Sequence, residues 1–185
     1  MSISEYNRSN INSLYFKNNE GRHKMTIQIV RADYHNPNHA KDLILALDSY
    51  AQDPMGGSTA LTTNVKQHLI GQLQNLPHAF SLLAYADNQI AGLANCFQLF
   101  STFSCKPIIN IHDLVVLNKF RGRGISQQML EKVVKIATGL GCCKITLEVL
   151  SGNEVAKSAY RKFGFKDYEL DPNKGSALFW EKTLV

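Results

Sequence analysis

The repeat of apolar residues changes several times along this chain, and each change marks an element. Ile27 and Ile29 alternate with polar neighbours within Thr26–Arg31, the period of a half-buried strand. Leu43, Ile44, Leu47 and Tyr50 recur at helical spacing, and Asp53-Pro-Met-Gly-Gly-Ser58 stops that helix in a flexible loop. Val65, Leu69 and Leu73 repeat every four residues, so a second helix ends near Pro77. Residues 80–86 and 89–100 read as two strands joined by the turn Asp87-Asn88. Ile108–Leu117 is a further long strand.

Helix 124–138 follows, with Ile125, Met129, Val133 and Ala137 on one face and Gly139 and Gly141 at its end. Lys144–Val149 is a short strand. Ser151-Gly-Asn-Glu154 has the form of a capping box, opening a helix that turns Val155, Ala156, Ala159, Tyr160 and Phe163 inward and closes at Gly164. Residues 165–170 and 177–184 form a last strand pair around Asp171–Gly175. The order is β-α-α-β-β-β-α-β-α-β-β, one mixed α/β domain over residues 25–185. Residues 1–24 are Asn- and Ser-rich without a period and read as a disordered extension.

Hydrophobic residues make up 44% of the 185 and charged residues 19%, a globular composition. No apolar run reaches the length of a membrane span, and the first residues lack the apolar stretch of a secretory signal. A cytoplasmic location follows as the expectation. The net charge of +5 suits an anionic ligand. The basic residues are scattered, without the aromatic-interleaved stripe of a nucleic-acid binder, so neither nucleic acid nor membrane is expected as a partner. Cys96, Cys105, Cys142 and Cys143 have no CxxC or other metal-ligand spacing; they read as reduced thiols, with no metal.

The chemistry concentrates in Arg121-Gly-Arg-Gly-Ile-Ser126. Gly122 and Gly124 let the backbone approach a ligand, the helix that starts here offers unpaired amides, and Arg121 and Arg123 add charge. These features define an anion site. The loop completes neither a dinucleotide-binding fingerprint nor a P-loop.

The surrounding residues narrow the anion. IHDLVVLNKFRGRGIS, residues 111–126, resembles the acetyl-CoA-binding motif of the GNAT family of N-acetyltransferases, a Leu-x-Val strand followed by Gln/Arg-x-x-Gly-x-Gly/Ala. Leu114 and Val116 fill the strand positions; Arg121, Gly124 and Ser126 fill the loop, with Ser126 departing from the usual Gly/Ala. NEVAKSAYRKFGF, residues 153–165, resembles the family's Asn-x-x-Ala-x-x-x-Tyr-x-x-x-Gly-Phe. The resemblance implies the GNAT fold, with acetyl-CoA as co-substrate. Arg121, Gly122, Arg123, Gly124, Ile125 and Ser126 would hold the diphosphate, the strand edge Leu114–Val115–Val116 would pair with pantetheine, and Asn153 would contact coenzyme A. Tyr160 would sit at the sulfur as proton donor to the leaving thiolate.

His112-Asp113-Leu114 resembles the Glu-Asp-Leu segment of diamine and thialysine acetyltransferases, in which an acidic pair handles the substrate amine. Asp113 matches the second acid and His112 replaces the first. Histidine titrates near neutrality, so His112 is the candidate general base, although strand alternation separates it from Asp113 unless the strand bulges, as it often does in the family. Asp53 and Glu148 are candidate contacts to the acceptor. The function implied is N-acetyl transfer to a primary amine of a small molecule by direct attack in a ternary complex. A protein N-acetyltransferase and a non-catalytic acyl-CoA-binding regulatory module remain as alternatives. Many relatives pair, which leaves a homodimer open.

Overall fold

The structure, a computed structural model, describes residues 25–169, 171, 173, 175 and 177–184. The extension over residues 1–24 lies outside these. The chain builds one five-stranded sheet in the order β1-β2-β3-β4-β5: β1 (Ile27–Arg31), β2 (Ala79–Ala86), β3 (Gln89–Ser101) and β4 (Lys106–Val116) are antiparallel neighbours, and β5 (Ile145–Leu147) lies parallel to β4. Helices α1 (Pro37–Ala51) and α2 (Thr63–Gln74) cover one face. Helices α3 (Ile125–Gly139) and α4 (Glu154–Phe163) cover the other.

Each face of the sheet has its own apolar layer because strand side chains alternate. Leu83, Leu93 and Val115 pack under Leu43, Ala46 and Leu73 of α1 and α2. Leu82, Ala84, Ala94, Ile109 and Ile111 pack under Ile125, Met129, Leu130 and Val133 of α3. The hairpin between β2 and β3 closes at Asp87 and Asn88, whose φ values of 47° and 62° are those of the two-residue turn that matches strand twist. Gly92 on β3 is fixed by crowding: a Cβ there would stand 2.7 Å from the Val115 carbonyl oxygen.

Three details depart from the sequence expectation. A 3₁₀ turn, Asn118–Phe120, separates β4 from the glycine loop and buries Phe120 in the α3-side core. The start of α4 is capped by Asn153, whose side-chain oxygen accepts from the Ala156 amide at 3.1 Å, so Ser151 is not the cap. Glu154 instead pairs with Lys157 one turn on, at 2.6 Å.

Beyond Gly164 no strand forms among the described residues. Glu169 makes an isolated bridge, and the Ala177 amide reaches the Tyr168 carbonyl at 3.3 Å. A three-residue β5 offers these segments little edge to extend. Residues 170, 172, 174, 176 and 185 lie outside the described set.

Candidate active site

The site begins where β4 and β5 part. Their pairing runs only from Ile109–Ile145 to Ile111–Leu147, so β4 continues to Val116 with no neighbour on that side. At the point of parting, β4 carries one extra residue. Asn95 faces Asp113, the next pair is Cys96 with Ile111, and His112 is left over as a bulge. The bulge resets the alternation. Ile111 and Leu114 both face α3, whereas His112 and Asp113 both face the α1–α2 side. There the His112 ring meets Phe97 edge-on at 5.7 Å, and Asp113 meets Asn95.

The backbone of the free edge can be read from its pairing. The Leu117 amide donates to the Ala91 carbonyl at 2.9 Å, and antiparallel pairs alternate, so Leu117 and Val115 turn their polar groups to β3. Leu114 and Val116 turn theirs to the open side. Val115 is thereby corrected: its backbone belongs to the ladder and its buried side chain to the α1–α2 core, so the edge consists of Leu114 and Val116.

The edge leads into the glycine loop. Gly122 and Gly124 have φ values of 74° and 75°, a left-handed conformation that glycine adopts without strain. Gly124 is the N-cap of α3, and the first helical bond is Gln128 amide to Gly124 carbonyl at 3.2 Å. The amides of Ile125, Ser126 and Gln127 therefore have no helical acceptor, and the dipole of a 15-residue helix adds positive potential there. Ile125 anchors its side chain in the core, so its place at the loop is that of a backbone donor. Arg123 is exposed and reaches the Met25 sulfur at 3.8 Å.

Arg121 lies across the mouth. Its Nε donates to the Val116 carbonyl at 2.9 Å, and its Nη2 donates to Asp53 Oδ2 at 2.8 Å. Asp53 also accepts from the Met55 amide at 2.9 Å. The Arg121 guanidinium beside it lowers the Asp53 pKa below its ordinary 3.8. The carboxylate expected to meet the acceptor thus ties the α1–α2 loop to the anion loop instead. Its charge is already matched there, so an acceptor contact at Asp53 would compete with Arg121.

The other candidates line the splay. Tyr160 on α4 is packed edge-on against Phe165 at 5.8 Å, and burial, then the nearby Tyr50, push its phenol up to about 12. Tyr50 on α1 is raised by burial, then by the charges of Asp113 and Asp53. Neither hydroxyl has a hydrogen-bond partner among the described residues, and no described buried side-chain oxygen is left unpaired, so both phenol oxygens reach solvent. The Gln127 side chain donates to the Ala159 carbonyl at 3.2 Å and fixes α4 to the start of α3. At the end of β5, Glu148 accepts from the Asn110 amide at 3.3 Å. Asn153 spends its side-chain oxygen on the α4 cap.

Tyr50, Ser81, Asn95 and Gln127 are the site residues that pattern reasoning missed. Tyr50 read only as an apolar position of α1, and the others carried no motif. Two surface depressions, of about 410 Å³ beside Pro77 and Phe100 and about 310 Å³ between α3, β5 and α4, lie away from the splay. Among the described residues no cluster of His, Cys, Asp or Glu could hold a metal ion, and no helix is long and apolar enough to cross a membrane.

A strand edge left open by a splay leads into a glycine loop at a helix start, whose free amides favour an anion. The chain belongs to the acetyltransferase (GNAT) family, whose pattern matches residues 49–165. It is 28% identical over 78 residues to mouse thialysine N-epsilon-acetyltransferase, covering 42% of this chain and 45% of that protein. It is 24% identical over 95 residues to the type 1 aminoglycoside N(6')-acetyltransferase of Salmonella typhimurium, covering 50% and 66%. The chain thus spans about half the length of the thialysine relatives it matches. The fold is shared with an aminoglycoside acetyltransferase from an uncultured soil metagenomic sample, in complex with trehalose (TM-score 0.69, 19% identity, 85% of this chain and 96% of that one). It is shared also with an aminoglycoside N-acetyltransferase in complex with CoA (TM-score 0.65, 17% identity, 87% and 97%).

Proposed function

We propose that this chain transfers the acetyl group of acetyl-CoA to a primary amine of a small molecule, by direct attack within a ternary complex. The observation that carries the reading is the continuity of the open Leu114–Val116 edge with the Gly122–Ser126 loop. The edge presents alternate amides and carbonyls to pantetheine as an added strand would, and the loop presents amides and a helix dipole to the diphosphate. The thioester carbonyl then lies at the splay, between β4 and Tyr160.

In that complex the acceptor amine docks at Asp113 and loses a proton to His112, directly or through water. The neutral nitrogen attacks the thioester carbon to give a tetrahedral oxyanion. Collapse of that intermediate breaks the carbon–sulfur bond, the phenol of Tyr160 hydrogen-bonds the departing thiolate, and the surplus proton on the attacking nitrogen passes to that thiolate, directly or through water, leaving a neutral amide and a free thiol. A covalent acetyl-cysteine route is disfavoured: burial, then the charge of Asp113, push the Cys96 thiol up to about 12, which keeps it protonated. Small-molecule amines are favoured as acceptors because thialysine and aminoglycoside acetyltransferases stand among the relatives.

Calorimetric titration with acetyl-CoA, followed by a thiol-release screen of primary amines, tests this. Saturable binding with turnover of at least one amine is expected. Absence of acetyl-CoA binding overturns the proposal, and binding without turnover of any amine returns the chain to a regulatory role.

A further inference from the structure

Resting on that reading, we propose that Asn95, backed by Ser81 and Tyr34, is a positioning residue that fixes the orientation of the Asp113 carboxyl group, with one oxygen offered to a cationic amine. Four parts of the chain meet in one row on the α1–α2 face. The Tyr34 hydroxyl, on the connection between β1 and α1, lies 2.9 Å from Ser81 Oγ on β2. Ser81 Oγ donates to Asn95 Oδ1 on β3 at 2.6 Å. Asn95 Nδ2 donates to Asp113 Oδ2 on β4 at 2.9 Å. Ser81 is 1% exposed and Asn95 5%.

The direction of the row follows from counting protons. Serine has one, and Ser81 spends it on Asn95, so Tyr34 must donate to Ser81. Every donor then points toward Asp113, and a row of aligned donors fixes the orientation of its terminal acceptor. Asp113 Oδ1 has no hydrogen-bond partner among the described residues. Because no described buried side-chain oxygen is unpaired, that atom opens to solvent. No lysine or arginine among the described residues pairs with Asp113.

The other groups around Asp113 are Tyr50 of α1, His112 beside it, and Cys96 next to Asn95; Tyr50 also feels the charge of Asp53 on the following loop. Asp53 is neutralised by Arg121, so the carboxylate lacks a built-in counterion. A substrate ammonium supplies one. The row is also an odd choice for stability alone, since buried polar groups replaced together by apolar ones of equal shape are often neutral or better. The acceptor class this fits carries a positive charge near its reacting nitrogen.

The test compares kcat/KM for a primary amine that carries a second, cationic nitrogen with that for the same amine lacking it, in the native full chain, Asn95→Leu and Tyr34→Phe. The native chain is expected to prefer the cationic amine. Asn95→Leu is expected to lower that preference about tenfold, through the KM of the cationic amine, with the KM for acetyl-CoA unchanged. Tyr34→Phe, which touches Asp113 only through two intervening side chains, is expected to lower it by a smaller but measurable amount. An unchanged preference in both variants overturns the proposal. If Asn95→Leu fails to fold, Tyr34→Phe decides alone. Acetyl-CoA titration of the native sample separates the two levels: normal binding with an unchanged preference rejects only the positioning row, and lost binding rejects the transferase reading beneath it.

Discussion

Removing one oxygen, by Tyr160→Phe, isolates the proposed role of the phenol at the leaving sulfur. Burial and Tyr50 push this hydroxyl up to about 12, whereas a free thiol has a pKa of about 8.5. Full proton transfer from such a phenol to a thiolate is therefore uphill by roughly three pK units, on the order of a few kcal/mol. That gap makes Tyr160 a hydrogen-bond donor to developing charge more than a complete acid. Loss of one such donor costs about 10²-fold in kcat, at the lower end of what positioned acids contribute. The phenyl ring keeps its contact with Phe165, so the KM for acetyl-CoA should stay within about threefold of native. The assay is continuous thiol release with an amine the native chain acetylates, from pH 6 to 10. Because the phenol stays protonated across that range, the variant should lower the whole profile without removing a limb. An unchanged kcat, or an alkaline limb near pH 8–9 present in the native chain and lost in the variant, would refute the reasoning.

Two further perturbations probe the frame of the site. Asp53→Asn keeps the acceptor for the Met55 amide but removes the charge that pairs with Arg121. Arg121 is half exposed, so the pair should contribute only about 0.5 kcal/mol at pH 7. The Asp53 pKa is lowered in the folded chain, so this stability is present above its ordinary 3.8 and is lost as pH falls through the folded value. Urea unfolding should therefore separate native and variant at pH 7 and bring them together at strongly acid pH; an equal gap at both would refute the assignment. Gly92→Ala places a Cβ 2.7 Å from the Val115 carbonyl and 3.2 Å from the Met129 sulfur, overpacking the β3–β4 pair behind the site. A loss of about 1–3 kcal/mol, read as a drop of several degrees in Tm, is expected, and an unchanged Tm would show that β4 yields at no cost.

Much of this molecule was written in local pattern. The period of α1 and of α3, the alternation in β1 and the turn at Asp87-Asn88 depend on neighbours within a few residues, where spacing and turn chemistry decide conformation. The glycine loop was equally legible, because φ values of 74° and 75° demand the glycines that the sequence shows. The start of α4 was legible only in part: the residue types were right for a cap, but Asn153 stood closer to the helix than Ser151 and took the role.

The acceptor half of the site was decided by contacts that no local pattern carries. Whether His112 and Asp113 share a face depended on one extra residue in β4, opposite a β3 residue 18 positions away from Asp113. Asp53 reads from the sequence as an acceptor contact, and the fold brings it to Arg121, 68 positions on, where its charge is matched. Tyr50 and Asn95 have no signature of their own; they matter because the sheet and α1 set them beside Asp113 and the splay. The glycine loop proposed for the donor thus follows from backbone geometry that the sequence specifies locally. The groups proposed for the acceptor come together where strands far apart in the chain are laid side by side, and electrostatics at that range is set by tertiary placement alone.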